Sequence, residues 1–78
     1  MTVRAYVLIQ TEVGRAAAVA DAVRALPGVE SSDDVTGPYD VIALTTTESI
    51  EELGRVVVTR IQLVEGITRT LTCPIVSD

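Results

Sequence analysis

Leu26-Pro27-Gly28-Val29 returns 38 residues further on as Val64-Glu65-Gly66-Ile67. At the same offset Val3 and Ala5 recur as Val41 and Ala43, and Val19 and Val23 as Val57 and Ile61. Each half therefore holds an apolar strand, an apolar-periodic helix, a glycine turn and a second strand. One such half cannot bury its apolar face alone, so the two halves are expected to fold against each other.

Outward from that repeat, Val3 to Gln10 is a strand rich in β-branched residues. Between Gly14 and Leu26, Ala16, Val19, Ala20, Val23 and Leu26 recur at helical spacing, and Pro27-Gly28 ends the helix. Val29 to Thr36 is polar and acidic, the pattern of an exposed edge strand that Asp33-Asp34 protect from edge pairing. Asp40 to Thr47 is a second apolar strand. Ser49-Ile50-Glu51-Glu52 forms a capping box, a hydroxyl with a glutamate three residues on. The helix it opens carries Leu53, Val57 and Ile61 inward. Its Val56-Val57-Val58-Thr59 run has strand propensity, so the helix expectation rests on the cap and the repeat. Gly66 ends it, and Ile67 to Val76 is the last strand.

The order is βαββαβ, expected as one domain over residues 1–78. Right-handed crossovers in both halves give an α+β fold, a four-stranded antiparallel sheet of order 4-1-3-2 with both helices on one face. This is the ferredoxin-like plait. Strands 1 and 3 lie at its centre and are apolar on both sides: Val3, Ala5, Val7 and Ile9 share one face, Tyr6 and Leu8 the other, and Val41 and Ala43 oppose Ile42 and Leu44. Helices cover one face only. The predicted cover for Tyr6, Leu8, Ile42 and Leu44 is a second subunit, giving a face-to-face homodimer resembling an α/β barrel.

Composition points the same way. A chain of 78 residues buries only roughly 60–65% of its unfolded surface and gains from oligomerising. Yet 47% of its residues are hydrophobic, more than one small core requires. Net charge is −5, and the six basic residues are scattered arginines, which disfavours direct nucleic-acid binding. With the first strand starting almost at Met1, no helix-turn-helix fits. A single cysteine, Cys73, allows no internal disulfide. The absence of a long apolar run or a basic leader makes a cytoplasmic protein, without membrane contact, the expectation.

Catalytic chemistry has little to draw on. There is no histidine and no lysine, and Cys73 has no imidazole partner. Asp33-Asp34 and Glu51-Glu52 are read as a solvated edge and a favoured helix start in preference to a metal site. No cofactor is expected. The most specific local string is Val35-Thr36-Gly37-Pro38-Tyr39-Asp40. It is explained by a tight turn, while Tyr39 and Asp40 also place a ring, a hydroxyl and a carboxylate where they suit a small amphipathic ligand. Thr68, Thr70 and Thr72 form a row of hydroxyls on the last strand, accounted for by β-propensity or by contact with a polar ligand. Cys73 is expected to be a small, semi-buried hydrophobe, and Tyr6 to serve interface packing.

These strings, together with Thr11-Glu12-Val13-Gly14-Arg15 and Gly66-Ile67-Thr68-Arg69-Thr70-Leu71-Thr72, resemble the regulatory ligand-binding (RAM) domain of the Lrp/AsnC, or feast/famine, proteins. The resemblance runs over essentially the whole chain. It implies a plait that dimerises through its sheets and assembles into rings such as octamers. It further implies an amino-acid effector site between neighbouring dimers, using Thr36, Gly37, Tyr39 and Asp40 with Thr68, Thr70 and Thr72. Lacking a helix-turn-helix, the chain looks like a stand-alone form that co-assembles with full-length family regulators. Two departures from the family pattern are Glu65 before Gly66 and Val13 before Gly14, where proline is common. The alternatives are a small dimeric α/β-barrel enzyme of the monooxygenase or isomerase kind, a purely structural assembly domain, and an ACT-type amino-acid-binding domain.

Overall fold

In a computed structural model, which describes residues 2–76, the chain runs β1 (Val3–Thr11), α1 (Ala16–Arg24), β2 (Val29–Asp34), β3 (Val41–Thr47), a second helix α2 (residues 50–62) and β4 (Ile67–Pro74). The four strands form one antiparallel sheet of order β2-β3-β1-β4, the expected 4-1-3-2 seen from the other edge. In register, Val7 pairs with Ala43 and Thr72, and Leu8 with Ile42 and Leu71. The fold is the ferredoxin-like plait.

Strand alternation sorts the sheet into two unlike faces. Ala5, Val7, Ile9, Val41 and Ala43 are fully buried beneath the helices, where they meet Val19, Val23, Leu53, Val57 and Ile61. Thr45 shares that face, and its hydroxyl donates to the Ala5 carbonyl at 3.0 Å, which satisfies a buried polar group. The other face carries Tyr6, 44% exposed, with Leu8, Ile42 and Leu44 half-buried and Leu71 exposed.

The repeat closes the core by cross-packing. Gly28, in the turn between α1 and β2, has φ +90° and faces Val57 of α2; a Cβ there would lie 2.8 Å from Val57 Cγ2. Its repeat mate Gly66, φ +99°, faces Val19 of α1, with 3.2 Å to Cγ2. Each glycine thus makes room for the valine of the other half. Each also anchors a central strand: Thr46 N–H donates to Gly28 O and Glu12 N–H to Gly66 O, both at 2.8 Å.

Several boundaries move inward from the sequence expectation. Gly14 takes φ +81° in the β1–α1 turn, so α1 starts at Ala16. Strand β2 stops at Asp34, where the turn to β3 begins, and β4 stops at Pro74, which has no N–H for the ladder. Helix α2 differs more. It is α-helical at Ile50–Glu52, π-helical over Leu53–Val58 and α-helical again at Thr59–Gln62. The valine run supplies the cause, since β-branched side chains crowd an α-turn and the wider turn relieves them. Leu53, Val57 and Ile61 recur every four residues, and a wider turn keeps that spacing in line with the core. Thr59 Oγ1 donates to the loosened Gly54 carbonyl at 3.1 Å. The helix start is as the sequence implies, with Ser49 Oγ accepting from Glu52 N–H at 3.1 Å. The Glu52 carboxylate in turn accepts from Glu48 N–H at 2.7 Å.

Candidate functional site

Two of the sequence-predicted pieces flank the end of β1. On one side lies the junction of residues 35–40. Val35 N–H donates to Asp40 O and Asp40 N–H to Ile9 O, both at 2.9 Å. The Gln10 amide donates to Pro38 O at 3.1 Å. Asp40 Oδ2 accepts the Thr11 N–H at 2.8 Å, at the point where the β1–β4 register slips between Gln10 and Thr11. A backbone donor left unpaired by the bulge is thereby satisfied. One carboxylate oxygen of Asp40 is thus committed to the scaffold, a role invisible in the linear sequence. Tyr39 and Asp40 are half-buried, while Thr36 and Gly37 are exposed.

On the other side lies a cleft of about 200 Å³ between the end of α2 and the start of β4, lined by Gln62, Ile67, Thr68, Arg69 and Thr70. Thr70 pairs with Ile9 and Thr72 with Val7, so both hydroxyls lie on the helix side of the sheet. Thr68 falls in the register slip and also lines the cleft. Thr72 lies further along β4, outside that lining. Within one subunit the 36–40 junction and the cleft are separated by β1, two strand spacings or roughly 10 Å. They occupy the same end of the sheet without meeting.

Gln62 completes the cleft and escaped the sequence reading. Its Nε2 donates to Thr70 Oγ1 at 3.1 Å, which leaves the threonine proton free to donate into the cleft. The available signal was the repeat: Gln62 is the mate of Arg24, and Thr70 that of Ser32. In the first half the Arg24 guanidinium spans the gap to the Ser32 carbonyl and also pairs with Asp21 at 2.7 Å. The shorter glutamine reaches only a side-chain hydroxyl, and there the cleft opens.

The remaining polar groups have structural surroundings. Glu51 lies 3.7 Å from Arg55 one turn on, and Glu52 caps the helix. Among the described residues no group of three or more His, Cys, Asp or Glu is placed to hold a metal ion. Cys73 is exposed, which corrects the expectation of a semi-buried residue: it pairs with Tyr6 on the sheet face that no helix covers. Among the described residues no helix is long and apolar enough to cross a membrane.

A model of the Lrp/AsnC ligand-binding domain matches residues 4–78. The chain belongs to this family. The Lrp/AsnC domain is a regulatory, effector-binding one, and among solved structures TTHA0845 from Thermus thermophilus superposes with TM-score 0.89 at 38% identity, over 97% of this chain and 95% of that one. AsnC of E. coli superposes with TM-score 0.87 at 21% identity, over 97% of this chain but 52% of AsnC, so this chain spans about half of that regulator. The Neisseria meningitidis transcriptional regulator NMB0573, solved as a complex with L-Met, gives TM-score 0.80 at 17% identity over 97% of this chain and 51% of that one. Among curated proteins there is no significant match.

Proposed function

We propose that this Lrp/AsnC domain senses an amino acid or a closely related metabolite and modulates transcription by assembling with regulators of its family. The match of the family model over residues 4–78 carries the reading. The cleft beside β4 supports it: Thr68 and Thr70 offer hydrogen-bond donors, and Ile67 an apolar wall, in a space of amino-acid size. A structural neighbour bound to L-Met, which shares the fold, is consistent with such a ligand.

The unit of assembly is a homodimer built on Tyr6, Leu8, Ile42 and Leu44, since these strands are apolar on both sides and the helices cover only one. Dimers joining into a ring such as an octamer would bring the 36–40 junction of one subunit against the cleft of its neighbour. That contact would unite Thr36, Gly37, Tyr39 and Asp40 with Thr68 and Thr70, which a single subunit holds apart. Thr72 would border this site from further along β4. The net charge of −5 suits a role without direct DNA contact.

Calorimetry against the twenty amino acids, with sedimentation of each mixture, tests this. Saturable binding of one or a few amino acids is expected, weakened about tenfold in Gln62→Ala and in Thr70→Ala through loss of roughly one hydrogen bond. An absence of binding at millimolar concentrations of every amino acid overturns the sensor reading.

A further inference from the structure

Two side chains in the cleft use only part of their hydrogen-bonding capacity. Gln62 Nε2 donates to Thr70 Oγ1 at 3.1 Å, and among the described residues neither side chain makes another hydrogen bond. That bond takes one amide donor and one hydroxyl lone pair. Gln62 Oε1 is left as an acceptor and the Thr70 proton as a donor, next to each other. Turning the amide over exchanges the two, and the pair still presents a donor beside an acceptor. No charge intrudes on them. Thr70 pairs with Ile9 and faces the helices, whereas Arg69 pairs with Gln10 and directs its guanidinium to the opposite face of the sheet. Ile67 supplies an apolar wall. At the repeat mate of Gln62 stands a cation, Arg24, already engaged by the Ser32 carbonyl and Asp21. The open cleft is the neutral one.

We infer that this cleft reads a neutral primary carboxamide, so that the effector class is asparagine and glutamine. The inference rests on the sensor reading above and names what its cleft selects. A carboxamide carries an acceptor oxygen and a donor nitrogen in one plane. Its oxygen accepts the Thr70 proton while its N–H donates to Gln62 Oε1, and both free groups are satisfied. Other side chains fail at one group or both. A carboxylate only accepts, and sets its charge against Oε1. An ammonium or guanidinium only donates, and meets the Thr70 proton. An aliphatic or thioether chain closes both groups off from water without a partner, the most costly outcome for a polar pair. A hydroxyl has to serve both groups through one oxygen and one proton. A site built to hydrogen-bond a substituent discriminates far more sharply than an apolar pocket does between chains of similar size.

Calorimetry with matched ligands tests the class: glutamine against glutamate and methionine, asparagine against aspartate and leucine, with lysine and serine alongside. In wild type the better carboxamide is expected to bind at least about tenfold tighter than its matched acid and its matched apolar chain. Gln62→Leu removes the acceptor and Thr70→Val removes the donor while keeping its shape. Each is expected to bring the ratio of carboxamide to apolar affinity to within about threefold of one. Gln62→Glu offers acceptors only and should move the preference toward lysine. Gln62 is exposed, so these changes leave the core untouched, and circular dichroism with sedimentation verifies fold and assembly. A packing role for Gln62 lowers every affinity together, so ratios that stay as in wild type overturn the inference. An apolar, charged or hydroxyl amino acid that binds wild type most tightly overturns the carboxamide class and leaves the sensor reading standing. No binding by any amino acid at millimolar concentration overturns both.

Discussion

Replacing Gly28 by alanine probes the contact through which the two halves lock. Two separate costs are expected. At φ +90° an L side chain sits in the left-handed region, a penalty of about 1–2 kcal/mol. The new methyl would also lie 2.8 Å from Val57 Cγ2, and Val57 is only 2% exposed, so its side chain has nowhere to turn. Overpacking of this kind costs about 1–3 kcal/mol. The total, roughly 2–5 kcal/mol, is a large share of what a domain of this size has. Gly14→Ala is the control, because Gly14 has a similar φ of +81° with nothing within 4 Å, so only the backbone cost remains. Gly66→Ala should fall between them, its methyl meeting Val19 Cγ2 at 3.2 Å and Arg15 Cβ at 3.3 Å. Urea denaturation followed by far-UV circular dichroism, at one fixed protein concentration because association contributes to stability, gives the order. Combining Gly28→Ala with Val57→Ala should recover part of the loss, a coupling of about 1–3 kcal/mol in a double-mutant cycle. If Gly28→Ala and Gly14→Ala agree within about 0.5 kcal/mol, the cross-packing does not constrain the fold.

Asp40→Ala removes the acceptor for the Thr11 N–H and should cost about 1–3 kcal/mol in the same denaturation assay run without effector. Ser49→Ala removes the α2 cap and should cost about 1 kcal/mol, with little effect on assembly by sedimentation. Ser32 is buried and its hydroxyl has no hydrogen-bond partner among the described residues, so Ser32→Ala should leave stability within about 0.5 kcal/mol or raise it; a larger loss would mean the hydroxyl is engaged. Leu44→Asp places a charge in the middle of the uncovered stripe, and sedimentation should find it shifted to monomer while wild type is dimeric.

The candidate site was partly legible in the chain. Thr68 and Thr70 stood out as hydroxyls on the last strand, and both line the cleft. Gln62 did not, because a glutamine near a helix end is unremarkable until its distance to Thr70 is known. Asp40 looked like a free carboxylate for a ligand, yet one of its oxygens closes a register slip between β1 and β4. Register slips arise from pairing between strands distant in the chain, and local composition does not record them.

By itself the sequence determined the elements, their order and the faces they present. Strand alternation, helical spacing, glycine turns and the Ser49 cap are local, and each acts within a few residues. The repeat then left one sheet arrangement that buries both halves. Tertiary structure decided what depends on distances between remote residues. These are the exchange of valines between Gly28 and Gly66, the π-turn that keeps Leu53, Val57 and Ile61 in line, and the cleft that opens where Gln62 replaces the longer reach of Arg24. Close packing tolerates only tenths of an ångström, a scale that side-chain identity alone does not set.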